Sequence, residues 1–175
     1  VDFGAEDVVF GLPIGAGDLT LNVNRDGMEA RGTAAIGSVP VGLTWSERFE
    51  EDGEVRTRYK VRTNLDASGR RELGLDEIPF VSGPAGVGLT YAIGWDGMAS
   101  GVAEIDLAET VIELDPFGWS KPAGVPGRAF VRFLVRDDIL TEMPEVMVRA
   151  EDLEIDGAGL FRPGPDGPEL QRLTL

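Results

Sequence analysis

The stretch Leu19–Ile36, LTLNVNRDGMEARGTAAI, alternates apolar and polar residues, turns at Asp26-Gly27, and alternates again. A period of two sends successive side chains to opposite faces of a strand, and an Asp-Gly pair between two such runs predicts a β-hairpin. Leu19, Leu21 and Val23 share one face, and Met28, Ala30, Gly32, Ala34 and Ile36 share one after the turn. Thr20, Asn22, Asn24, Glu29, Arg31 and Thr33 take the other. The stretch then recurs as Leu89–Ile105, LTYAIGWDGMASGVAEI. Leu19-Thr20 returns as Leu89-Thr90 and Asp26-Gly27-Met28 as Asp96-Gly97-Met98, each 70 positions on (89 − 19 and 96 − 26). After one deletion, Gly32, Ala34 and Ile36 match Gly101, Ala103 and Ile105. Repetition at this period predicts a modular fold.

Outward from the hairpin, Val55–Arg62, VRTRYKVR, is the most regular strand. Val55, Thr57, Tyr59 and Val61 alternate with Arg56, Arg58, Lys60 and Arg62. Cations on one face of a sheet are ordinarily solvated; the sharper reading is a ligand for an acidic head group. Trp45-Ser46 recurs as Trp119-Ser120, an offset of 74 (119 − 45). At that offset Arg58, Tyr59, Val61 and Arg62 become Arg132, Phe133, Val135 and Arg136. We therefore expect one domain over 1–175, with repeats at about 17–84 and 87–156 and a partial third unit over 157–175, starting at Asp166-Gly167.

The rest of the chain reads as connections. Val8-Val9-Phe10 and the run GLPIGAG (11–17) predict a bent strand or loop. The run lacks the Gly-Lys-Ser/Thr ending of a phosphate loop. Asn64–Gly69 reads as a turn, Arg71–Leu75 as a returning strand, Phe117–Gly127 as a long bend, and Asp137-Asp138 as another turn. Ile112 and Leu114 read as an extension of the second hairpin's edge. Only Val102–Leu114 offers helical composition, and its β-branched residues favour a strand.

Composition narrows the chemistry. The chain has 175 residues, 42% apolar, with 24 Gly and 11 Pro, which suits many short strands joined by turns. A formal net charge of −15 argues against nucleic acid and against docking on an anionic membrane. There is no Cys and no His, which removes disulfides, most zinc sites, and Ser-His or Cys-His catalysis. No apolar run reaches the roughly 18 residues of a membrane-spanning helix. Val1 is not a start methionine and the alternating QRLTL reaches Leu175, so the chain is expected to be part of something longer.

The acid pairs Asp76-Glu77, Asp137-Asp138 and Glu151-Asp152 lie beside turns, where acids face water, and give no glycosidase pair. No series of alternating oxygen ligands suggests calcium. Ser120 and Lys121 would point apart on a strand, which discounts a Ser-Lys dyad. Trp45 and Trp119 could stack on sugar rings, but beside bends they are more often caps on a core. No catalytic residue, metal site or cofactor is therefore expected. What remains is the apolar face. In a compact sandwich a second apolar face would fill it, whereas in a repeat protein it forms a trough. A trough without catalytic groups suits a ligand that needs only desolvation, at about 0.8 kcal/mol per buried methylene.

Trp45, Glu47 and Phe49 in the order Trp-x-Glu-x-Phe, the Arg-rich strand around Tyr59, and Gly118-Trp-Ser-Lys-Pro-x-Gly124 before an apolar strand resemble the AsmA-like family. These are long bacterial envelope proteins related to TamB and to the bridge-like lipid-transfer proteins of eukaryotes. The similarity runs from about Leu19 to Leu160. It implies an inner-membrane anchor outside this chain and a periplasmic body of antiparallel hairpins, curved like a taco around an apolar groove. The implied role is movement of phospholipid toward the outer membrane.

The expected groove lining is Leu21, Val23, Met28, Tyr91, Ile93, Met98, Ile105, Phe133 and Val135, in contact with phospholipid acyl chains. Arg58, Arg62, Arg132 and Arg136 would face water or head groups. Other envelope proteins are further expected partners. Two alternatives stand beside this reading. One is a closed β-sandwich that binds envelope carbohydrate or protein. The other is a structural spacer between envelope layers.

Overall fold

The alternating stretch forms the expected hairpin in a computed structural model that describes residues 5–9, 12–15, 17–51, 53–75, 79–164 and 167–175. After β1 (Ala5–Val9) and β2 (Leu12–Gly15), strand β3 (Leu19–Val23) pairs with β4 (Gly27–Ile36), Val23 facing Met28 and Leu19 facing Gly32. The connection is anchored by Asn24, whose Oδ1 accepts from the Asp26 and Gly27 N–H groups at 2.9 and 3.0 Å. This is the local hydrogen bonding by which Asn competes for turns. Phe10, Gly11, Asp76, Glu77 and Asp166 lie outside the described residues.

The chain continues through β5 (Val39–Arg48), β6 (Val55–Leu65), a short helix α1 (Ala67–Glu72), β7 (Val81–Ser82), β8 (Ala85–Gly94) and β9 (Ala99–Asp106). It then runs through β10 (Val111–Leu114), one 3-10 turn (Asp115–Phe117), β11 (Trp119–Lys121), β12 (Gly127–Arg136), β13 (Ile139–Ala150), β14 (Leu153–Gly164) and β15 (Gly167–Thr174). Twelve strands build one antiparallel sheet in the order β1-β2-β4-β5-β6-β8-β9-β12-β13-β14-β15, with β3 beside β4. The sheet is curved and groove-like, and it does not close into a barrel. Strands β7, β10 and β11 form a second, three-stranded sheet.

One face of the large sheet is apolar over most of its width. Leu21, Ala30, Trp45, Tyr59, Tyr91, Gly101 and Phe133 stand side by side on seven strands. Val61, Leu89, Ala103, Val131 and Val146 form the neighbouring row. Ala34, Ile36, Val39, Val41, Leu43, Tyr59, Tyr91, Phe133 and Val135 belong to one buried cluster. Among the described residues no helical layer covers that cluster; Leu73, just past α1, packs at its margin. At Pro144 β13 slips register against β12, between Arg132 and Leu134 and opposite Phe133. A proline cannot donate to a ladder, so a bulge is where a strand tolerates it.

Three expectations are corrected by the connections. Asn64–Gly69 and Arg71–Leu75 are not a turn and a strand. Asp66 caps α1 by accepting the Gly69 N–H at 2.8 Å, and Arg70 and Arg71 fill its last turn. Ile112 and Leu114 do not extend the second hairpin; they leave the large sheet for β10. Trp119 is not equivalent to Trp45. Trp45 stacks on Tyr59 in the main sheet, with centroids 5.9 Å apart, whereas Trp119 sits on β11 and its Nε1 donates to Asp152 Oδ1 at 2.7 Å. Because one strand of the second module is diverted in this way, β6 and β12 are three antiparallel steps apart and run in opposite directions.

Candidate binding faces of the sheet

Each strand of the large sheet offers one side chain in two to each face, so the sheet has two candidate surfaces. The nine residues expected to line a groove distribute over three rows and one turn. Leu21, Tyr91 and Phe133 share the row that crosses seven strands. Val23 faces Met28, and Ile93 faces Ala99, which faces Val135. Ile105 stands between Val87 and Ala129. All eight are on the apolar face. Met98 departs from them. It lies in the turn before β9, where its carbonyl accepts from the Gly94 N–H at 2.8 Å and its sulfur takes an Arg136 Nη2 donor at 3.7 Å. The second turn is one residue longer than the first before pairing starts, so Met98 does not take the place of Met28.

The face is packed in its middle and open at its sides. Tyr91, Phe133 and Val135 are buried, while Leu21 is 47% and Val23 60% exposed. Met28, Ile93 and Ile105 are half-buried. At the far side Leu170 and Leu173 on β15 are exposed, and Leu173 faces Gly159. The Tyr91 and Phe133 rings stack at 6.3 Å with 24° between planes. Burial pushes the Tyr59 phenol up to about 12, with the Glu47 carboxylate adding to the shift. Burial, with Asp138 second, also raises Tyr91. Both phenols therefore stay neutral at physiological pH, as part of an apolar surface.

The small sheet closes one end of this face. Ile112, Leu107 and Ala85 form a second cluster, against which Ile105, Trp119, Ala129 and Val148 pack. Within it Lys121 is 2% exposed, and its Nζ donates to the carbonyls of Thr110 (2.8 Å), Pro122 (3.2 Å) and Ala108 (3.3 Å). Three carbonyls satisfy the three protons of an ammonium. Ser120 is exposed on the alternate position, so the two residues form no dyad.

The opposite face is polar and carries hollows that the sequence did not reveal. One of about 320 Å³ is bounded by Arg58, Lys60, Thr90, Ala92, Ser100 and Val102. Beside it lies one of about 910 Å³, bounded among others by Arg62, Gly86, Gly88, Glu104, Arg128 and Phe130. A third, of about 640 Å³, lies where the first hairpin's turn meets Ser46, Arg56 and Arg58. The floor between β6 and β12 is low because β8 and β9 offer Gly86, Gly88, Thr90, Ala92, Ser100 and Val102 to this face. Alternation identified the cations; only the strand order shows that β6 and β12 flank small residues. Among the described residues, no group of three or more potential metal ligands comes together.

No protein-family model matches the chain, and no curated protein and no solved structure matches it.

Proposed function

We propose that the chain is a segment of a periplasmic lipid-transfer bridge that shields phospholipid acyl chains between the inner and outer membranes. The reading rests on one observation: the apolar row from Leu21 to Phe133 crosses seven strands without a charged side chain, from exposed Leu21 to buried Phe133. A hydrocarbon chain needs desolvation and no directional contact, so an apolar row of this kind is sufficient for it. Leu21 and Val23 at one side, and Leu170 and Leu173 at the other, are where an acyl chain would enter. Between them Tyr91 and Phe133 would have to part. The envelope location and the inner-membrane anchor rest on the resemblance to AsmA-like proteins. Among the described residues no helix is long and apolar enough to cross a membrane.

A second reading is carried by the packed centre. If Tyr91 and Phe133 stay stacked, the sheet is a binding module for envelope carbohydrate or protein. Photo-crosslinking in cells separates the two. A photoreactive residue at Leu21 and, separately, at Tyr91 captures phospholipid at both positions if the track is continuous. Capture at Leu21 with none at Tyr91 favours the module. No lipid at either position overturns the bridge, and lipid from Arg58 or Arg132 alone overturns the assignment of the faces.

A further inference from the structure

On the polar face, β6 carries Arg58, Lys60 and Arg62, and β12 carries Arg128, Arg132 and Arg136. The same face of β8 and β9 carries two acids, Glu104 and Asp106. Six cations against two acids make these four strands a basic patch in a chain whose formal charge is −15. We propose that the lane between β6 and β12 binds a phosphate-bearing ligand, with Arg58, Lys60, Thr90 and Ser100 as its anchor.

The columns are three strand spacings apart, about 14 Å between backbones. Lys60, Thr90, Val102 and Arg132 lie in one row across them. The hollow of about 320 Å³ at this place has two cations and two hydroxyls on its walls and no acid. Its volume admits a phosphate with its ester substituents. Among the described residues, no hydrogen bond or ion pair engages Arg58, Lys60, or the hydroxyls of Thr90 and Ser100. Their donors are free for a ligand. Arg132 is the contrast, since Glu145 holds it at 3.2 Å and its guanidinium stands 5.8 Å from the Phe130 ring centre. An Arg fork matches two phosphate oxygens, and Lys supplies a compact charge beside it. The ligand's charge rather than its shape selects this place, because the two acids stand at the other end, beside Gly88 and Gly86. A free phosphoryl compound and a lipid head group present the same chemistry. The lane is on the face opposite the acyl track and does not depend on that reading.

The test uses the intact protein with pyrophosphate in calorimetry, and with phosphatidylglycerol or phosphatidylcholine vesicles in co-sedimentation. Pyrophosphate binding with no vesicle binding supports a free phosphoryl ligand. Sedimentation with phosphatidylglycerol vesicles that pyrophosphate reverses supports a head group. In either case Arg58→Ala/Lys60→Ala weakens binding by roughly tenfold or more, raised salt weakens it, and Arg31→Ala, on another strand, leaves it unchanged. Both substituted side chains are exposed, and thermal unfolding of the variant verifies the fold. No binding in either assay, or equal binding by the double variant, overturns the proposal. Apolar-dye binding reports the acyl track separately in the same samples.

Discussion

Phe133 lies flat against Gly101: a Cβ at Gly101 would come within 2.0 Å of the ring's Cζ. The glycine thus leaves room for the Tyr91–Phe133 stack at the centre of the apolar face. Gly101→Ala forces the ring off its position, at a cost of about 1–3 kcal/mol. Gly101→Val costs more. Denaturant unfolding gives the loss, and near-UV circular dichroism shows whether the aromatic packing changes. Unchanged stability in Gly101→Val would mean that the ring has another place to go.

Lys121 holds three carbonyls of the small sheet's connections while almost fully buried. Lys121→Met keeps the length and the apolar stem but strands those carbonyls, and we expect a loss of about 2–4 kcal/mol. Lys121→Arg does not restore it, because a planar fork cannot direct three donors from one nitrogen. Hydrogen exchange locates the effect. The amides of Val111 and Ile112 lose protection while those of β6 keep it. Equal loss over the whole sheet would show instead that the small sheet unfolds only with the large one.

The Tyr59 phenol is raised by burial to about 12 from its ordinary value of 10.0. Between those values the unfolded chain has released this proton and the folded protein has not. The unfolded state then binds fewer protons, so Tyr59 makes stability fall as pH rises from 10 to 12. Below pH 10 it has no such effect. Tyr59→Phe flattens this part of the pH profile relative to the wild type, and melting temperatures between pH 9 and 12 measure the difference. Identical slopes in the two proteins would refute the assignment.

Asp137 and Asp138 form the two-residue turn between β12 and β13 with φ of 50° and 61°. Two left-handed residues are what a type I′ turn demands, and Asn-Gly meets that demand with less strain than Asp-Asp. Asp137→Asn/Asp138→Gly should therefore stabilise the protein by about 0.5–1 kcal/mol, with the slope of the denaturation curve unchanged. A destabilised double variant would show that the two carboxylates do more than turn the chain.

Local patterning made the faces of the sheet readable. Leu21, Met28, Tyr91 and Phe133 fall on one face because period-two alternation is a property of the strand itself. Arg58 and Arg132 fall on the other for the same reason. The diversion of Ile112 and Trp119 into a second sheet was not readable, since their alternation fits either sheet and only tertiary packing decides between them. Met98 does not follow Met28 because the matching Asp-Gly-Met triplets sit in turns that differ by one residue. For α1 a signal did exist: Asp66 three residues before Gly69, with Arg70 and Arg71 after it, is a capped helical turn. The lane on the polar face required knowing that β8 and β9 lie between two strands distant in sequence.

The opposed directions of β6 and β12 bear on any ligand in that lane. Relative to the row of Tyr59, Tyr91, Gly101 and Phe133, Arg58 stands one residue to one side and Arg132 one residue to the other. Arg62 and Arg136 stand three residues out, again on opposite sides. The four arginines are thus related by a half-turn about the Tyr91–Gly101 pair, and such a pattern looks the same from either end. The arginine pattern by itself would give an anion no preferred direction. Polarity in the lane comes from Lys60, whose half-turn counterpart is Leu134, and from the acids Glu104 and Asp106, which occupy one end alone.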